Sequence, residues 1–162
     1  MWLESVEGKG STFYFTIPFT NTIVKKRNKK STETKKANDF SGKIVLIVED
    51  VESNYLYLEV LLKTLNIEIL WVQNGSDAIQ VSSENSDIDL VFMDIKMPGL
   101  INGYKTTKQI KKFYPNLPII AQTAYALAGD KEKAIEAGCD DYISKPIKKK
   151  TLFEIIEKYL NK

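Results

Sequence analysis

The chain has 162 residues, of which 43% are hydrophobic and 27% are charged, and its formal net charge is +2. This length and composition are typical of one globular domain with a substantial core, and they exclude a disordered, collagen-like or fibrous protein. A single cysteine, Cys139, and the absence of histidine exclude a disulfide framework, Cys-rich or His-ligated metal sites, and Ser-His-Asp or Cys-His catalysis.

Residues 1–20 predict a β-hairpin. A turn at residues 7–10 precedes the run 11–17, in which apolar and polar residues alternate with the period of a strand. An isolated two-stranded hairpin is marginally stable in water, so Phe13 and Phe15 need a covering surface that twenty residues do not supply.

The first residues also lack the basic and apolar regions of a signal peptide. No run approaches the ~18 apolar residues of a membrane helix, so we expect no membrane span and a cytoplasmic location.

Residues 21–41 form a basic linker in our interpretation. Seven Lys and Arg residues stand against one acid, Glu33, between residues 21 and 38. Blocks of like charge can contact nucleic acid or anionic lipid. This block has neither interleaved aromatic residues nor helical periodicity, so we interpret it as a solvated linker and predict no direct contact with nucleic acid.

The pattern changes at residue 42 to short apolar runs that alternate with amphipathic segments, which predicts an α/β domain over residues 42–162. The predicted strands are 43–48, 68–72, 89–93, 118–122 and 141–144, and the predicted helices are 52–65, 75–85, 103–112, 128–137 and 148–160. Strands 43–48 and 89–93 are continuously apolar, as is typical of parallel strands covered on both faces. The sequence therefore predicts a doubly wound parallel sheet of five strands flanked by five helices.

Polar residues follow four of these strands. Glu49 and Asp50 follow the first strand, Asp94 the third, Thr123 the fourth and Lys145 the fifth. Ligands of open parallel sheets bind at the carboxyl ends of the strands. If the first and third strands are neighbours, three carboxylates converge, and they need a counter-ion. Oxygen ligands of this kind suit Mg²⁺.

A carboxylate nucleophile, Mg²⁺, a lysine and a hydroxyl are the groups that phosphoryl transfer requires, because its transition state needs charge neutralisation and positioning. Asp94 is the predicted nucleophile, with Lys145 and Mg²⁺ on the phosphoryl oxygens and Thr123 as a hydrogen-bond donor. The product is an aspartyl phosphate. The added charge is able to bias a bistable surface, so the chemistry indicates a switch.

Four stretches resemble the receiver domains of response regulators and hybrid histidine kinases. They are Val48-Glu49-Asp50, Met93-Asp94-Ile95-Lys96-Met97-Pro98, Ala121-Gln122-Thr123-Ala124 and Tyr142-Ile143-Ser144-Lys145-Pro146. Their order and spacing match the family across residues 42–162. The resemblance implies a flavodoxin-like fold with strand order 2-1-3-4-5, and this order comes from the resemblance rather than from the spacing of the motifs.

The resemblance also implies roles for individual residues. Asp94 is the expected phosphoacceptor, and Asp50, Asp94 and the backbone carbonyl of Lys96 are the expected Mg²⁺ ligands, with Glu49 acting mainly through bound water. Thr123 and Tyr142 are the expected switch pair, and the bond before Pro146 is expected to be cis. The implied partner is a histidine kinase dimerisation domain or a histidine phosphotransfer protein, docking on the first helix, and a homodimer remains open.

The chain departs from the family pattern in the loop after Asp94. Four residues separate Pro98 from Gly103, where the family usually has three. We therefore expect an altered loop beside the acceptor. Lys96 and Tyr125, two positions past the acceptor and the threonine, are candidates for tuning hydrolysis of the acyl phosphate.

Residues 1–20 resemble the final hairpin of a histidine kinase ATP-binding domain, carried by Trp2-Leu3-Glu4-Ser5 and Gly8-Lys9-Gly10-Ser11-Thr12-Phe13-Tyr14-Phe15. The chain is then the carboxyl-terminal piece of a hybrid kinase. It lacks the Asn-rich and Gly-rich ATP boxes and any histidine to be phosphorylated, so we expect no independent kinase activity. A receiver still catalyses its own phosphorylation and dephosphorylation.

Other interpretations of the strand-end residues remain open. The residues Asp50, Asp94, Thr123 and Lys145 could form an ion-pair network without catalytic function. The chain could be a degenerate receiver that binds proteins without phosphorylation. A haloacid-dehalogenase-like phosphatase also uses a strand-end Asp, Thr and Lys, but it has a second carboxylate where this chain has Lys96, and no cap-sized insertion is present.

Overall fold

The structure, a computed structural model, describes residues 1–16, 39–99, 101–124 and 128–161, with only the backbone of residues 128–130. The chain divides into two units, Met1–Lys35 and Lys36–Lys162. The end of the predicted hairpin, nearly all of the basic linker and Tyr125 lie outside the described residues. In the described part of the chain, no helix combines the length and the apolar character needed to cross a membrane.

The first unit contains the predicted hairpin. Strands β1 (Trp2–Val6) and β2 (Gly10–Tyr14) pair antiparallel, with Trp2 opposite Tyr14. The rings of these two residues stack with centroids 5.1 Å apart. Gly8 in the turn and Gly10 at the start of β2 have φ values of 76° and 102°, which residues other than glycine rarely adopt.

The second unit contains five strands and five helices in strict alternation. In chain order they are β3 (Ile44–Val48), α1 (Glu52–Lys63), β4 (Glu68–Val72), α2 (Gly75–Glu84), β5 (Ile88–Asp94), α3 (Gly103–Phe113), β6 (Ile119–Thr123), α4 (Ala128–Ala137), β7 (Asp141–Ser144) and α5 (Lys149–Leu160). All strand pairs of this sheet are parallel, in the order β4-β3-β5-β6-β7. Numbered within the unit, this order is the expected 2-1-3-4-5, and the flavodoxin-like fold is confirmed.

Two hydrophobic clusters cover the two faces of the sheet. The first lies under α1 and α5, and its largest strand residue is Phe92. The second lies under α2, α3 and α4 and includes Met93 and Ile110. Successive strand residues alternate between the two clusters, so both faces are buried. This double burial explains why the central strands are continuously apolar in sequence.

The packed unit includes residues upstream of the boundary that we placed at residue 42. Phe40 is only 4% exposed and belongs to the first cluster, and its N–H donates to the carbonyl of Leu65 at 2.9 Å. Asp39 accepts a hydrogen bond from Asn66 at 3.0 Å. A single aromatic residue after a long polar segment gave no periodic signal, and only packing against α1 identifies it as core.

Candidate functional site

The predicted residues meet at the carboxyl edge of the five-stranded sheet. Strands β3 and β5 are neighbours, and Val48 is paired with Met93. The next residue of each chain segment, Glu49 after β3 and Asp94 at the end of β5, therefore lies beside the other. Carboxylate oxygens of Glu49, Asp50 and Asp94 lie within 4.8 Å of one another. Because like charges this close repel strongly, the cluster requires nearby cations.

Lys145 supplies one such cation. The residue follows β7, and its Nζ donates to Asp94 Oδ2 at 2.6 Å and to Glu49 Oε2 at 2.5 Å. Burial of the ammonium group opposes its charge, but the hydrogen bonds to Asp94 and Glu49 and their negative charges outweigh that effect, so the pKa of Lys145 lies above its ordinary value. The ammonium therefore stays charged at neutral pH.

Glu49 is held on several sides. Its carboxylate is completely buried, and Oε1 accepts a hydrogen bond from Asn54 Nδ2 at 2.7 Å. Its backbone carbonyl accepts one from Trp71 Nε1 at 2.9 Å, and the Trp71 ring stacks on Tyr55 with centroids 4.0 Å apart. Both Glu49 oxygens are thus occupied by protein donors.

Sequence reasoning missed the contacts of Asn54 and Trp71. Asn54 lies five residues after Glu49, in the first turn of α1, which is close enough for its side chain to reach back to the strand end. That spacing is the signal that could have identified it. Trp71 carries no site signal in the sequence, and its contact with Glu49 depends on the pairing of β3 with β4.

Asp50 and Asp94 complete the carboxylate cluster at the edge of the sheet. Asp50 is half-buried, and no hydrogen bond to its carboxylate occurs among the described residues. Asp94 is 7% exposed, and its Oδ1 accepts a hydrogen bond from the Lys96 backbone N–H at 2.8 Å. Three carboxylates and one lysine leave the cluster negatively charged, and hard divalent cations prefer such oxygen ligands. The residues present therefore fit a Mg²⁺ site.

Helix α3 begins directly after the loop that follows Asp94. Asn102 caps the helix, because its Oδ1 accepts a hydrogen bond from the Lys105 N–H at 3.1 Å. The next residue, Gly103, packs against the backbone of Asp94. A Cβ at this position would lie 2.2 Å from the Asp94 carbonyl oxygen and 2.7 Å from Ile95 Cα. Only glycine permits this close approach.

Thr123 and Tyr142 lie on adjacent strands beside the carboxylate cluster. Thr123 is the last residue of β6 and is 5% exposed, and its carbonyl accepts a hydrogen bond from the Lys145 N–H at 2.7 Å. Tyr142 in β7 is half-buried at the edge of the second cluster. The Lys131 ammonium lies 5.1 Å from the centroid of its ring. The Lys145–Pro146 peptide bond is cis, as expected.

The sequence profile of the response regulator receiver domain matches residues 45–157. The sensor histidine kinase GacS of Pseudomonas protegens is 35% identical over 120 residues, which are 71% of this chain and 13% of GacS. Hybrid signal transduction histidine kinase I of Dictyostelium discoideum is 39% identical, over 69% of this chain and 7% of that protein. The chain thus spans a small part of these kinases. The response regulator DivK of Brucella anthropi is 38% identical, over 73% of this chain and 96% of DivK.

Two solved structures support the same assignment. The receiver domain of sensor histidine kinase PA1611 from Pseudomonas aeruginosa, solved with a magnesium ion in its active site cleft, is 32% identical with a TM-score of 0.69, over 75% of this chain and all of that one. The receiver domain of Ssk1 from Saccharomyces cerevisiae, solved with the histidine phosphotransfer protein Ypd1, is 31% identical with a TM-score of 0.70, over 75% and 91% of the two chains. The chain therefore belongs to the receiver domain family of two-component systems.

Proposed function

We propose that this receiver accepts a phosphoryl group from a phosphohistidine onto Asp94, with Mg²⁺, and changes conformation as part of a phosphorelay. One observation carries the proposal. The Asp94 carboxylate lies within a cluster of three carboxylates at the carboxyl edge of the sheet and is 2.6 Å from the Lys145 ammonium. A nucleophile with adjoining metal and cation sites is the arrangement that phosphoryl transfer requires.

Asp50, Asp94 and the backbone carbonyl of Lys96 are the proposed protein ligands of Mg²⁺. Glu49 acts through bound water, since its two oxygens already accept hydrogen bonds from Asn54 and Lys145. When bound, Mg²⁺ offsets the repulsion among the carboxylates and neutralises charge on the phosphoryl oxygens. The magnesium bound to the related PA1611 receiver supports this assignment.

In the proposed reaction, an oxygen of the Asp94 carboxylate attacks phosphorus in line with the leaving nitrogen. A phosphorus–oxygen bond forms and the phosphorus–nitrogen bond breaks, and its electron pair stays on the imidazole, which takes up a proton. Lys145 holds a phosphoryl oxygen by charge, and the Thr123 hydroxyl donates a hydrogen bond to another. Hydrolysis of the acyl phosphate by water uses the same groups, so the domain also limits the lifetime of its own signal.

The proposed switch couples Thr123 to Tyr142. When Thr123 turns toward the phosphoryl group, it vacates space that the Tyr142 ring fills from its half-buried position. That movement takes the ring away from the Lys131 ammonium, which lies 5.1 Å from its centroid. The surface around α4 and β7 thereby changes in shape and charge.

Intact-mass measurement after incubation with acetyl phosphate and Mg²⁺ tests the proposal. We expect one added phosphoryl group on the wild-type chain, and none on Asp94→Asn or in the presence of EDTA. Beryllofluoride with Mg²⁺, which mimics the phosphoryl group, provides a second measurement that does not depend on turnover. If neither reagent binds, a phosphorylation-independent binding module becomes the better hypothesis.

The proposed partner is a histidine phosphotransfer protein or a histidine kinase dimerisation domain, which binds α1. This helix presents Leu56, Tyr57 and Val60 to solvent, with exposures of 46%, 45% and 64%. A groove of about 320 Å³ beside them is lined by Tyr57 and by Lys145, Pro146, Ile147 and Asn54. This apolar surface adjoins Lys145, so a partner bound here brings its phosphohistidine next to Asp94. The complex of the related Ssk1 receiver with a phosphotransfer protein supports this choice of partner.

Transfer rates from two donors test the docking surface. We expect Val60→Glu to slow phosphoryl transfer from a phosphorylated histidine phosphotransfer protein and to leave the rate with acetyl phosphate unchanged. Phe113→Glu is the matched control, because Phe113 is 73% exposed on α3 and outside the proposed surface. Equal rates from the phosphotransfer protein for wild type and Val60→Glu would contradict the assignment. Light scattering with and without beryllofluoride determines whether phosphorylation also drives dimerisation.

We further propose that residues 42–162 are a receiver domain of a hybrid histidine kinase and lie in the cytoplasm, and that residues 1–20 are the last hairpin of its ATP-binding domain. Two observations support this proposal. The relatives include hybrid kinases, and the hairpin carries exposed apolar side chains at Leu3, Phe13 and Phe15, as a strand pair taken from a larger sheet would. The coding sequence upstream of residue 1 provides the test. Nucleotide-binding boxes and a phosphoacceptor histidine there would support the proposal, and an unrelated domain would contradict it.

A further inference from the structure

Gln122 is a polar residue buried without a hydrogen-bond partner. The side chain lies in β6 and is completely buried. Neither Nε2 nor Oε1 has a partner among the described residues. A buried amide that makes no hydrogen bond has lost its contacts with water and gained nothing in return, so each such group in a folded protein requires an explanation.

The position of Gln122 places it next to the proposed phosphoacceptor. Gln122 pairs with Asp94 on one side and with Ile143 on the other. Ile120 and Phe92, two residues before Gln122 and Asp94, both belong to the cluster under α1 and α5. Because side chains alternate along a strand, Gln122 and Asp94 point to this same face. Adjacent strands are about 4.8 Å apart, so the two side chains are direct neighbours.

Among the described residues, the carboxylates of Asp94 and Glu49 are hydrogen-bonded and the Gln122 amide is not. Asp94 accepts hydrogen bonds from the Lys96 N–H and from Lys145, and Glu49 accepts them from Lys145 and Asn54. A methionine or leucine at position 122 would fill the same volume without burying an amide. In the free site, Gln122 is therefore destabilising. A conformation of the site in which the amide makes a hydrogen bond would be stabilised by Gln122 relative to the free site.

We propose that Gln122 is a positioning residue for the phosphoryl-bearing site. Its Nε2 donates a hydrogen bond to the Asp94 side-chain oxygen that Lys145 gives up when the lysine turns to the phosphoryl group. Since Lys145 now contacts both Glu49 and Asp94, that turn leaves a buried acceptor beside Gln122. The proposed contact favours the loaded state relative to the free state. It rests on the proposed function, because it requires Asp94 to carry the group.

Thermal unfolding of wild type and Gln122→Met, with and without Mg²⁺ and beryllofluoride, tests the proposal. We expect free Gln122→Met to be at least as stable as free wild type, because the substitution removes an unpaired buried amide. We expect the stabilisation by Mg²⁺ and beryllofluoride to fall by half or more and the affinity for beryllofluoride to fall about tenfold. Ile120→Met is the control, as it lies two residues away on the same face and should keep the full ligand effect.

Each result of this experiment has a distinct meaning. An unchanged ligand effect in Gln122→Met, with a normal effect in wild type, would overturn the role of Gln122 and leave the proposed function intact. A loss of stability in free Gln122→Met without a loss of ligand effect would show that the amide is already paired in the free state, and would also overturn it. No ligand effect in wild type would contradict the proposed function itself.

Nuclear magnetic resonance of the wild-type chain gives a second test that does not depend on a variant. The chain has four glutamines, so a spectrum of ¹⁵N-labelled glutamine side chains contains four amide pairs. The Gln122 pair is identified by its contacts with the methyl groups of Ile143. On addition of Mg²⁺ and beryllofluoride we expect its proton signals to shift downfield and its solvent exchange to slow. An unchanged Gln122 signal in a protein that binds beryllofluoride would overturn the proposal.

Discussion

The two edges of the five-stranded sheet use the same kinds of charged residue for different purposes. At the amino edge, Asp89 pairs with Lys43 at 2.8 Å and with the Ile44 N–H at 2.9 Å. Asp140 pairs with Lys111 at 2.7 Å and also accepts a backbone N–H. Each of these acids has its own lysine. Such pairs tie strand ends together and leave no excess charge.

At the carboxyl edge, three carboxylates form a cluster, and Lys145 makes ion pairs with two of them. Glu49 is fully buried there, whereas the Asp140 side chain at the other edge is 37% exposed. Excess charge that is shielded from water is costly, and it is retained where a ligand can compensate it. Both edges contain ion pairs, so ion pairs do not distinguish them. The functional edge differs from the structural edge because its carboxylates outnumber the lysine that pairs with them and because they are more buried.

The largest expected effect comes from removing Lys145 at the carboxyl edge, and Lys111 at the amino edge provides the comparison. Lys145→Met leaves two buried carboxylates without their cation, so we expect the free energy of unfolding to fall by about 3–5 kcal/mol. We expect phosphorylation by acetyl phosphate to slow about 10²- to 10³-fold. Lys111→Met removes the cation of Asp140, whose side chain is 37% exposed and can be solvated, so it should cost less than about 1 kcal/mol. Urea denaturation and intact-mass kinetics measure these effects. Equal losses of stability in the two variants would contradict the proposed difference between the edges.

Adding Mg²⁺ to the same urea titrations should affect the two lysine variants differently. The ion supplies positive charge at the carboxyl edge, so it should stabilise Lys145→Met more than it stabilises Lys111→Met. Repeating the urea titrations with Mg²⁺ in place of Na⁺ at equal ionic strength isolates the specific effect of the ion. Equal stabilisation of both variants would mean that the ion acts elsewhere.

The next largest effect is expected at Gly103. Its added Cβ in Gly103→Ala would lie 2.2 Å from the Asp94 carbonyl oxygen, so backbone must move, at a cost of about 3 kcal/mol. The displacement of Asp94 should also weaken Mg²⁺ binding, which calorimetric titration measures. Gly42→Ala is the control at the amino edge. Gly42 has a φ of 80° with open space around its Cα, so this variant should lose stability through backbone strain and retain its Mg²⁺ affinity.

A smaller effect is expected at Asn54. Asn54→Ala removes a 2.7 Å hydrogen bond to buried Glu49. Glu49 keeps its hydrogen bond to Lys145, so we expect the free energy of unfolding to fall by about 1–2 kcal/mol. Gln80→Ala is the matched control, because it removes an exposed amide-to-carboxylate bond to Glu84 and should change stability by less than about 0.5 kcal/mol. Urea midpoints compare the two variants. Equal small effects would mean that Asn54 does not hold Glu49.

The smallest effect is a dependence on alkaline pH. The pKa of Lys145 is raised above 10.5 in the folded chain, so its contribution to stability is complete below about pH 10.5 and is lost as the pH rises through the higher folded value. The stability difference between wild type and Lys145→Met should therefore be constant up to about pH 10 and shrink above it. Urea midpoints across this range give the result. A difference that widens with alkaline pH would contradict the assigned sign.

The residues of the carboxyl edge were predictable from the sequence, whereas the ion pairs of the amino edge were not. Strand ends were predicted at or just before each of five residues, Glu49, Asp50, Asp94, Thr123 and Lys145, and parallel strands end at a common edge. The contacts of Asn54 and Trp71 were not predictable in this way, because both join residues that only the pairing of strands and the packing of α1 bring together. Gln122 belongs to the motif Ala121-Gln122-Thr123-Ala124. The sequence does not show that its side-chain amide is buried and has no hydrogen-bond partner among the described residues.

The sequence by itself determined the alternation of strands and helices, the presence of two covered sheet faces and the residues at the strand ends. Periodicity and local composition are properties of neighbouring residues, so they survive without a fold. The tertiary structure decided which strands are adjacent, which carboxylates Lys145 serves, that Phe40 joins the core and that the Gln122 amide is unpaired. These properties depend on contacts between residues far apart in the chain, and such contacts exist only after the sheet has formed.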